Sequence, residues 1–180
     1  ARAYAYHLGA YPEKALSESE SLLATNPGDP FFLELKGQIL LESGRPEEAI
    51  APLRRSVEIA GDQPLIAAML AHALISTQDR KNFPEAKSLL KEAVNRDNDN
   101  PFAWYQLGII YDREGDIPRA ALATAERNNL EGNPKLALAS ATAAMKGIPQ
   151  GSSDYLRAQD IAMVSRAELK KKEKNFHQKK

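Results

Sequence analysis

The sequence lacks cysteine entirely, contains a single tryptophan among its 180 residues, and has no long apolar run. Without cysteine the chain can form neither disulfide bonds nor thiolate metal sites, and this composition suits the periplasm and the cytosol equally. The longest apolar stretch, residues 67–75, contains His72 and is far shorter than the roughly 18 residues that a membrane-spanning helix needs. We therefore expect no membrane span in this sequence.

Motifs of catalysis and metal binding are also missing. None of the histidines, His7, His72 and His177, is followed by a glutamate and a second histidine at the spacing that puts two zinc ligands on one helix face. The segment 97–100 begins like a calcium loop, but Phe102 stands where the turn glycine belongs, so we interpret it as a turn that caps a helix. We predict no catalytic or metal-binding residue, no cofactor held by this chain, and no enzymatic activity of the chain alone.

Charge is balanced overall but unevenly distributed. The chain has 24 basic and 24 acidic side chains, yet residues 166–180 contain seven basic and two acidic ones, a net charge of +5 that leaves −5 on residues 1–165. Binding of nucleic acid requires a clustered basic face on the folded part of a protein. We therefore expect no nucleic-acid partner, and we interpret residues 166–180 as a basic C-terminal tail, a solvated helix end that frays.

Prolines recur with a fixed period. The pairs separated by 34 residues are Pro12 and Pro46, Pro30 and Pro64, and Pro84 and Pro118. Pro64 and Pro101 are 37 residues apart, which places a three-residue insertion near residues 77–82. A period of 34 predicts a unit of two helices that stacks on its neighbours, because one unit cannot bury its apolar face alone.

Helix boundaries are marked by local signals. Asp29, Asn100 and Asn133 each precede a proline, which pairs a capping acceptor with the residue that best suits the first helical position. No segment alternates with the period of two that a half-buried strand requires. The sequence therefore predicts an all-α fold of about ten helices, at residues 1–9, 12–26, 30–43, 46–60, 64–77, 83–96, 101–114, 117–130, 133–147 and 153–172.

The segment 104–120 resembles the tetratricopeptide repeat (TPR) signature, with Trp104, Leu107, Gly108 and Tyr111 at the characteristic spacing. The segment from Pro30 carries matching residues at equivalent positions, namely Leu33, Gly37, Leu40, Gly44, Ala49 and Leu53. We expect Gly37 and Gly108 to let paired helices approach closely, so that a larger side chain would separate them.

This resemblance implies a TPR-type helix-turn-helix solenoid, a superhelical domain over residues 1–165. Its repeats are expected at about 1–29, 30–63, 64–100 and 101–117. The segment 118–149 is expected to share the helix at 117–130 with the repeat before it. A closing helix at 153–172 then completes the domain.

A TPR arrangement also implies a groove, since the first helix of each repeat lines the concave side. The residues placed in the groove are Tyr4, His7, Glu34, Gln38, Leu41, Glu42, His72, Ile75, Ser76, Tyr105, Ile109, Asp112 and Arg113. We expect a protein or peptide there, with apolar anchors and acidic groups that hold a basic or amide group. The predicted anchors are Leu41, Ile75, Tyr105 and Ile109, and the predicted acidic groups are Glu34, Glu42 and Asp112. The alternative is that these residues are ordinary groove walls, some of them covered by a neighbouring domain.

Two groove positions limit the class of partner. His72 lies in an apolar helical segment, and we interpret it as a hydrogen-bonded helix histidine rather than a ligand. TPR co-chaperones that hold a terminal carboxylate use a lysine and an asparagine one turn apart, where this chain has Glu34 and Gln38. The sequence therefore argues against an adaptor for cytosolic heat-shock proteins.

Three stretches resemble a narrower family. Residues 34–46, Ala125 with Glu126, and residues 151–161 are similar to the C-terminal TPR region of the exported bacterial zinc metallopeptidases of family forty-eight, which are similar to the β-barrel-assembly-enhancing protease. The resemblance implies a periplasmic protein with zinc only in an upstream H-E-x-x-H domain. It also implies that the TPR part embraces that protease domain and recruits protein clients or the outer-membrane assembly machinery.

Three functional hypotheses follow from the sequence. The first is a non-catalytic protein-binding module of such a peptidase. The sequence starts at Ala1, without methionine, inside a predicted helix, and we therefore expect it to be a piece of a longer protein, which agrees with this hypothesis. The second is a freestanding TPR adaptor that assembles other proteins, for which a cytoplasmic location stays open. The third is an enzyme, which would require turnover of a substrate by this chain.

Overall fold

The computed structural model describes residues 3, 6, 11–61 and 63–178, with side chains described as far as residue 175. This part is helical throughout and contains nine α-helices, one short 3₁₀ turn and no strand. The helices are α1 Pro12–Thr25, α2 Pro30–Glu42, α3 Pro46–Ala60, α4 Pro64–Ser76, α5 Phe83–Arg96, α6 Pro101–Arg113, α7 Ile117–Leu130, α8 Pro134–Met145 and α9 Ser153–Gln178. The prediction of an all-α fold is confirmed. The predicted helix at residues 1–9 falls almost entirely outside the described residues.

Most helix starts follow the predicted local chemistry, since six of the nine described helices begin with proline. Asp29 Oδ1 accepts hydrogen bonds from the backbone N–H groups of Phe31 and Phe32, at 2.9 and 3.1 Å. Asn100 Oδ1 accepts one from Ala103 at 3.1 Å. The predicted cap at Asn133 is wrong, because its side chain makes no capping hydrogen bond and only its position marks the helix start.

The chain divides into two compact units, which we name unit 1 (residues 1–96) and unit 2 (residues 97–180). The sequence period of 34 continues across this division, so repeat spacing alone does not reveal it. In unit 1, α2 packs on α3 and α4 packs on α5, and α3 and α4 join the two pairs. The large side chains buried completely in this unit are Ile39, Leu53, Leu70, Leu74 and Leu90.

One close helix crossing in unit 1 depends on a glycine. A Cβ atom added to Gly37 of α2 would lie 2.3 Å from Cγ of Leu53 in α3, which is too close for any side chain. The same role was predicted for Gly108, where the approach is less close and a Cβ atom is tolerated. A Cβ there would lie 3.5 Å from Cβ of Ala123, an ordinary contact.

In unit 2, α7 packs against both α6 and α8, and α8 packs against α9. One hydrophobic cluster of this unit is built largely from small residues, which let the helices lie close together. Its buried members are Leu122, Ala125, Ala137, Ala141, Ala144, Ile148, Ala158, Ile161 and Ala162. Ser152 caps the last helix by accepting a hydrogen bond from the N–H of Tyr155 at 3.2 Å.

The last helix is longer than predicted. It runs without interruption from Ser153 to Gln178, so the predicted end at residue 172 is wrong. Residues 166–174 are rich in lysine, glutamate and alanine, which favour helix, and neither glycine nor proline follows Gly151 to end it. The side chains of Arg166 and of the lysines at 170–172 are exposed, and the basic segment is thus a solvated helix. Within the described ranges, no helix is both long enough and apolar enough to cross a bilayer.

Candidate protein-binding surfaces

The predicted groove residues fall into both units, so each unit carries its own candidate surface. Unit 1 holds Glu34, Gln38, Leu41 and Glu42 on α2 and His72, Ile75 and Ser76 on α4, whereas unit 2 holds Tyr105, Ile109, Asp112 and Arg113 on α6. Tyr4 and His7 lie outside the described residues. The predicted groove residues therefore form two candidate surfaces, one in each unit, in place of the single strip expected from the sequence.

The predicted groove residues on α2 in unit 1 are mostly polar, and two of them are hydrogen-bonded to each other. Gln38 Nε2 donates a hydrogen bond to Oε1 of Glu42, one helical turn away, at 2.9 Å. Glu34 is half-buried, and burial raises the pKa of its carboxyl group above the ordinary value. Leu41 is half-buried and keeps some apolar surface toward solvent. This face therefore presents carboxyl groups and one aliphatic side chain.

The face of α4 in unit 1 differs from the prediction at one position. His72 is half-buried, and burial lowers the pKa of its imidazole while the nearby charge of Glu42 opposes that shift. Ile75 is only 3% exposed, which removes it as an anchor for a partner. Because α4 is apolar on almost every side and packs between α3 and α5, the side chain of Ile75 falls into the core.

Unit 2 contains a cleft of about 650 Å³ between α6, α7 and α8. Four of the predicted groove residues, Tyr105, Ile109, Asp112 and Arg113, lie within about two turns of one another on α6 and line the same cleft. The other lining residues are Gly108, Ile117, Ala120, Ala121, Thr124, Arg127, Ala139, Ser140 and Ala143. Small side chains thus form most of the walls, with larger or charged groups toward both ends of α6.

Arg127 of α7 adds a cation that the sequence analysis did not predict. Its guanidinium carbon lies 5.1 Å from the centroid of the Tyr105 ring, in the range of a cation–π contact. The Nε atom is buried and has no hydrogen-bond partner among the described residues. The nearest carboxylate oxygen, Oε1 of Glu131, is 3.7 Å away, beyond hydrogen-bonding distance.

Arg127 was missed because no groove residue was predicted on the shared helix at 117–130. The cleft walls on α7 and α8 thus lie outside the predicted groove residues. A sequence signal was available in Ala139 and Ala143, two exposed alanines one turn apart on α8. Such a pair leaves room beside a helix, but it does not reveal which neighbouring helix faces it.

A buried ion pair fastens α9 to the helices that carry the cleft. Glu126 of α7 is 6% exposed and pairs with Nε of Arg157 in α9. The Arg157 guanidinium carbon also lies 4.8 Å from the centroid of Trp104, whose Nε1 donates to the carbonyl of Asn98 at 2.8 Å. Burial raises the pKa of Glu126, and the hydrogen bond from Arg157 acts against that shift. Trp104 is buried at 5% exposure and packs as a core residue.

Metal binding receives no support from side-chain geometry in the described ranges. Among those residues, no three histidine, aspartate or glutamate side chains come together in a way that could hold a metal ion.

A family model for the tetratricopeptide repeat matches residues 11–64 and 75–134, which is more than half of the chain. The chain is a TPR protein. TPR modules mediate interactions between proteins, and this is the class of function that the repeats indicate for the chain. The expected protein partners follow from this family.

Two curated relatives match about half of this TPR chain. It is 28% identical over 108 residues to the cytochrome c-type biogenesis protein CycH of Rhizobium meliloti, covering 60% of this chain and 28% of the relative. It is 31% identical over 105 residues to the cellulose synthase operon protein C of Pseudomonas fluorescens, covering 55% of this chain and 8% of the relative. The matched region therefore spans less than a third of either relative.

Solved structures of low sequence identity share the fold. The crystal structure of MamA has a TM-score of 0.67 at 18% identity and covers 96% of each chain. A fragment of MamA from Desulfovibrio magneticus RS-1 has a TM-score of 0.66 at 17% identity, covering 94% of this chain and 92% of that one. A thermophilic TPR protein of Thermus thermophilus has a TM-score of 0.56 at 20% identity, covering 89% and 95%. At these identities the likeness concerns the fold alone.

Proposed function

We propose that this TPR protein is a non-catalytic module that binds an extended segment of another protein in the cleft of unit 2. The observation that carries the proposal is the cleft itself, because it combines an aromatic ring, an aliphatic side chain and both signs of charge within about 650 Å³. Peptide recognition in grooves uses the same combination of a buried anchor and a polar rim. The small walls at Ala139 and Ala143 leave the space open.

Filling the cleft tests this function. Ala139 is exposed and lines the cleft, so Ala139→Trp should occupy the space without disturbing the core. Lys135→Trp, one turn away on the same helix and not in the lining, is the matched control. In selection from a phage-displayed library of random nine-residue peptides, wild type and Lys135→Trp should enrich common sequences that Ala139→Trp fails to capture. Equal capture by all three proteins would contradict binding in this cleft.

The finer hypothesis is that the chain is the partner-recruiting part of a periplasmic zinc metallopeptidase. It is supported by the resemblance of residues 34–46, 125–126 and 151–161 to the TPR region of that family. Zinc would then belong to an upstream protease domain, and the clients would come from outer-membrane protein quality control. Reading the gene upstream of Ala1 tests this directly, since the hypothesis requires an H-E-x-x-H motif there.

A freestanding adaptor that assembles other proteins is the second candidate. The name of one relative, a cytochrome c-type biogenesis protein, favours a role in assembly. This candidate predicts that the reading frame starts shortly before Ala1 and adds at most a signal peptide. Turnover of peptide substrates by the purified chain, with or without added zinc, would contradict both non-catalytic hypotheses.

A further inference from the structure

The cleft of unit 2 has a cationic end at Arg127 and an opposite end that carries Asp112, with Arg113 beside it in the sequence. Tyr105 lies in the first half of α6 and Arg127 near the end of the antiparallel α7, so the two residues mark the same end. Asp112 lies seven residues after Tyr105, which corresponds to about 10 Å along the helix axis. Its exposed carboxylate makes no hydrogen bond or ion pair within the described part of the chain.

Between these two ends, the cleft is lined mainly by small apolar side chains. Gly108, Ala120 and Ala143 line the middle, together with Ile109. The hydroxyl of Thr124 already donates to the carbonyl oxygen of Ala120 at 2.9 Å. The middle of the cleft therefore has room for small side chains or for the backbone of a bound segment.

Arg127 indicates what the cationic end binds. The buried Nε donor has no acceptor among the described residues, and the guanidinium plane is held in place against the Tyr105 ring. A carboxylate matches this group because it can accept hydrogen bonds from the terminal nitrogens of the guanidinium, which are the donors that an occupant of the cleft can reach. The arrangement thus presents a pre-positioned donor pair at the rim of an otherwise apolar cleft.

Charge around the cleft disfavours a polyanion as the occupant. The cleft lining contains only two cations, Arg113 and Arg127, together with one anion, Asp112. A nucleic acid or a polyphosphate requires several clustered cations. A segment with one carboxylate and one basic group instead satisfies both ends of the cleft.

We propose, resting on the proposed function, that the cleft binds an extended segment of a partner protein carrying a glutamate or aspartate at Arg127 and a lysine or arginine three positions away at Asp112. In a polyproline II conformation, residues three apart lie on the same face and are about 9 Å apart, which matches the separation of the two ends. Small residues occupy the two positions between them, over Gly108 and the alanines.

The experiment is selection from the same random nine-residue peptide library, followed by calorimetric titration of the enriched peptides. Wild type should enrich an acidic and a basic residue three positions apart. Arg127→Gln should weaken binding of the selected peptide by about tenfold or more, the size expected for losing a central charged contact. Arg166→Gln, which removes the same charge from an exposed position on α9, is the control and should bind like wild type.

A charge exchange separates a direct contact from a general electrostatic effect. Arg127→Glu should lose the selected peptide and bind its variant in which the acidic residue is replaced by lysine. Circular dichroism should show unchanged helicity in all variants, because the Arg127 side chain makes no hydrogen bond to another helix within the described chain and its ion pair, with Glu131 at 3.7 Å, lies within α7. Asp112→Asn should weaken binding only of peptides that retain the basic residue.

Four outcomes would overturn the inference. Enriched peptides without an acidic residue, or unchanged affinity in Arg127→Gln, would remove the carboxylate contact while leaving peptide binding in the cleft intact. Competition by millimolar inorganic phosphate or heparin would show a general anion site instead. If Ala139→Trp captures the same peptides as wild type, the cleft is not the binding site, and the proposed function fails together with the inference.

Discussion

Arg157 in α9 lies over the ring of Trp104 in α6, with its guanidinium carbon 4.8 Å from the ring centroid, while its Nε pairs with Glu126 of α7. Three helices are therefore joined at one arginine. Because Trp104 is the only tryptophan in the chain, its fluorescence reports on this junction and on the unfolding of unit 2.

Removing the arginine should destabilise unit 2. In Arg157→Met the carboxylate of Glu126 stays almost buried without its partner. We expect the free energy of unfolding to fall by about 1–3 kcal/mol, which is less than for a fully buried pair because Arg157 is partly exposed. Urea unfolding followed by Trp104 fluorescence measures it. Arg157→Met combined with Glu126→Met should lose less than the sum of the two single changes. An additive double variant would contradict the ion-pair explanation.

Gly37→Ala and Gly108→Ala form a matched pair of helix glycines. A Cβ at Gly37 would lie 2.3 Å from Cγ of Leu53, so we expect α2 and α3 to be forced apart at a cost of about 1–3 kcal/mol. At Gly108 the nearest atom is 3.5 Å away, and alanine should stabilise the helix by up to about 1 kcal/mol. Thermal unfolding followed by circular dichroism measures the change in stability of each variant. Equal changes in both variants would show that the close helix crossing at Gly37 does not determine the effect.

The raised pKa of Glu34 predicts that the substitution Glu34→Gln increases the stability of the protein in a pH-dependent way. Burial raises the pKa in the folded chain above its unfolded value, so this group favours folding below about pH 4.5 and loses that contribution as pH rises through the folded pKa. The variant should therefore be more stable than wild type at pH 7, by about 0.5 kcal/mol, and show no such gain at pH 4. Thermal unfolding at both pH values is the measurement. Glu173→Gln, on the exposed part of α9, is the control for removing one negative charge from the chain.

Tyr105 should contribute to peptide binding through its ring. Tyr105→Ala removes the surface under the Arg127 guanidinium, and we expect affinity for a selected peptide to fall by about tenfold, whereas Tyr105→Phe keeps the ring and most of the affinity. Leu41→Ala in unit 1 tests the other predicted surface in the same titration. A loss in Leu41→Ala without a loss in Tyr105→Ala would move the binding site to unit 1.

Agreement between sequence and structure is closest where the signal is local. Proline at the first helical position and the Asp29 and Asn100 caps act within three residues of the chain, so the helix starts were predictable. Tyr105, Ile109 and Asp112 share a cleft because their spacing along one helix already puts them on one face. Ile75 shows the limit, since its helix is apolar on nearly every side and the pattern does not tell which side faces a neighbour.

The sequence by itself determined the helices, their period and the TPR class, because hydrogen bonding within a helix, capping and repeat spacing depend on residues close along the chain. Only the tertiary structure decided that Arg127 lies over Tyr105, that Gly37 rather than Gly108 requires the absence of a side chain, and that α7 and α8 complete the cleft. These relationships depend on how far apart and at what rotation neighbouring helices pack. That geometry results from the combined shapes of many side chains, which no short motif encodes.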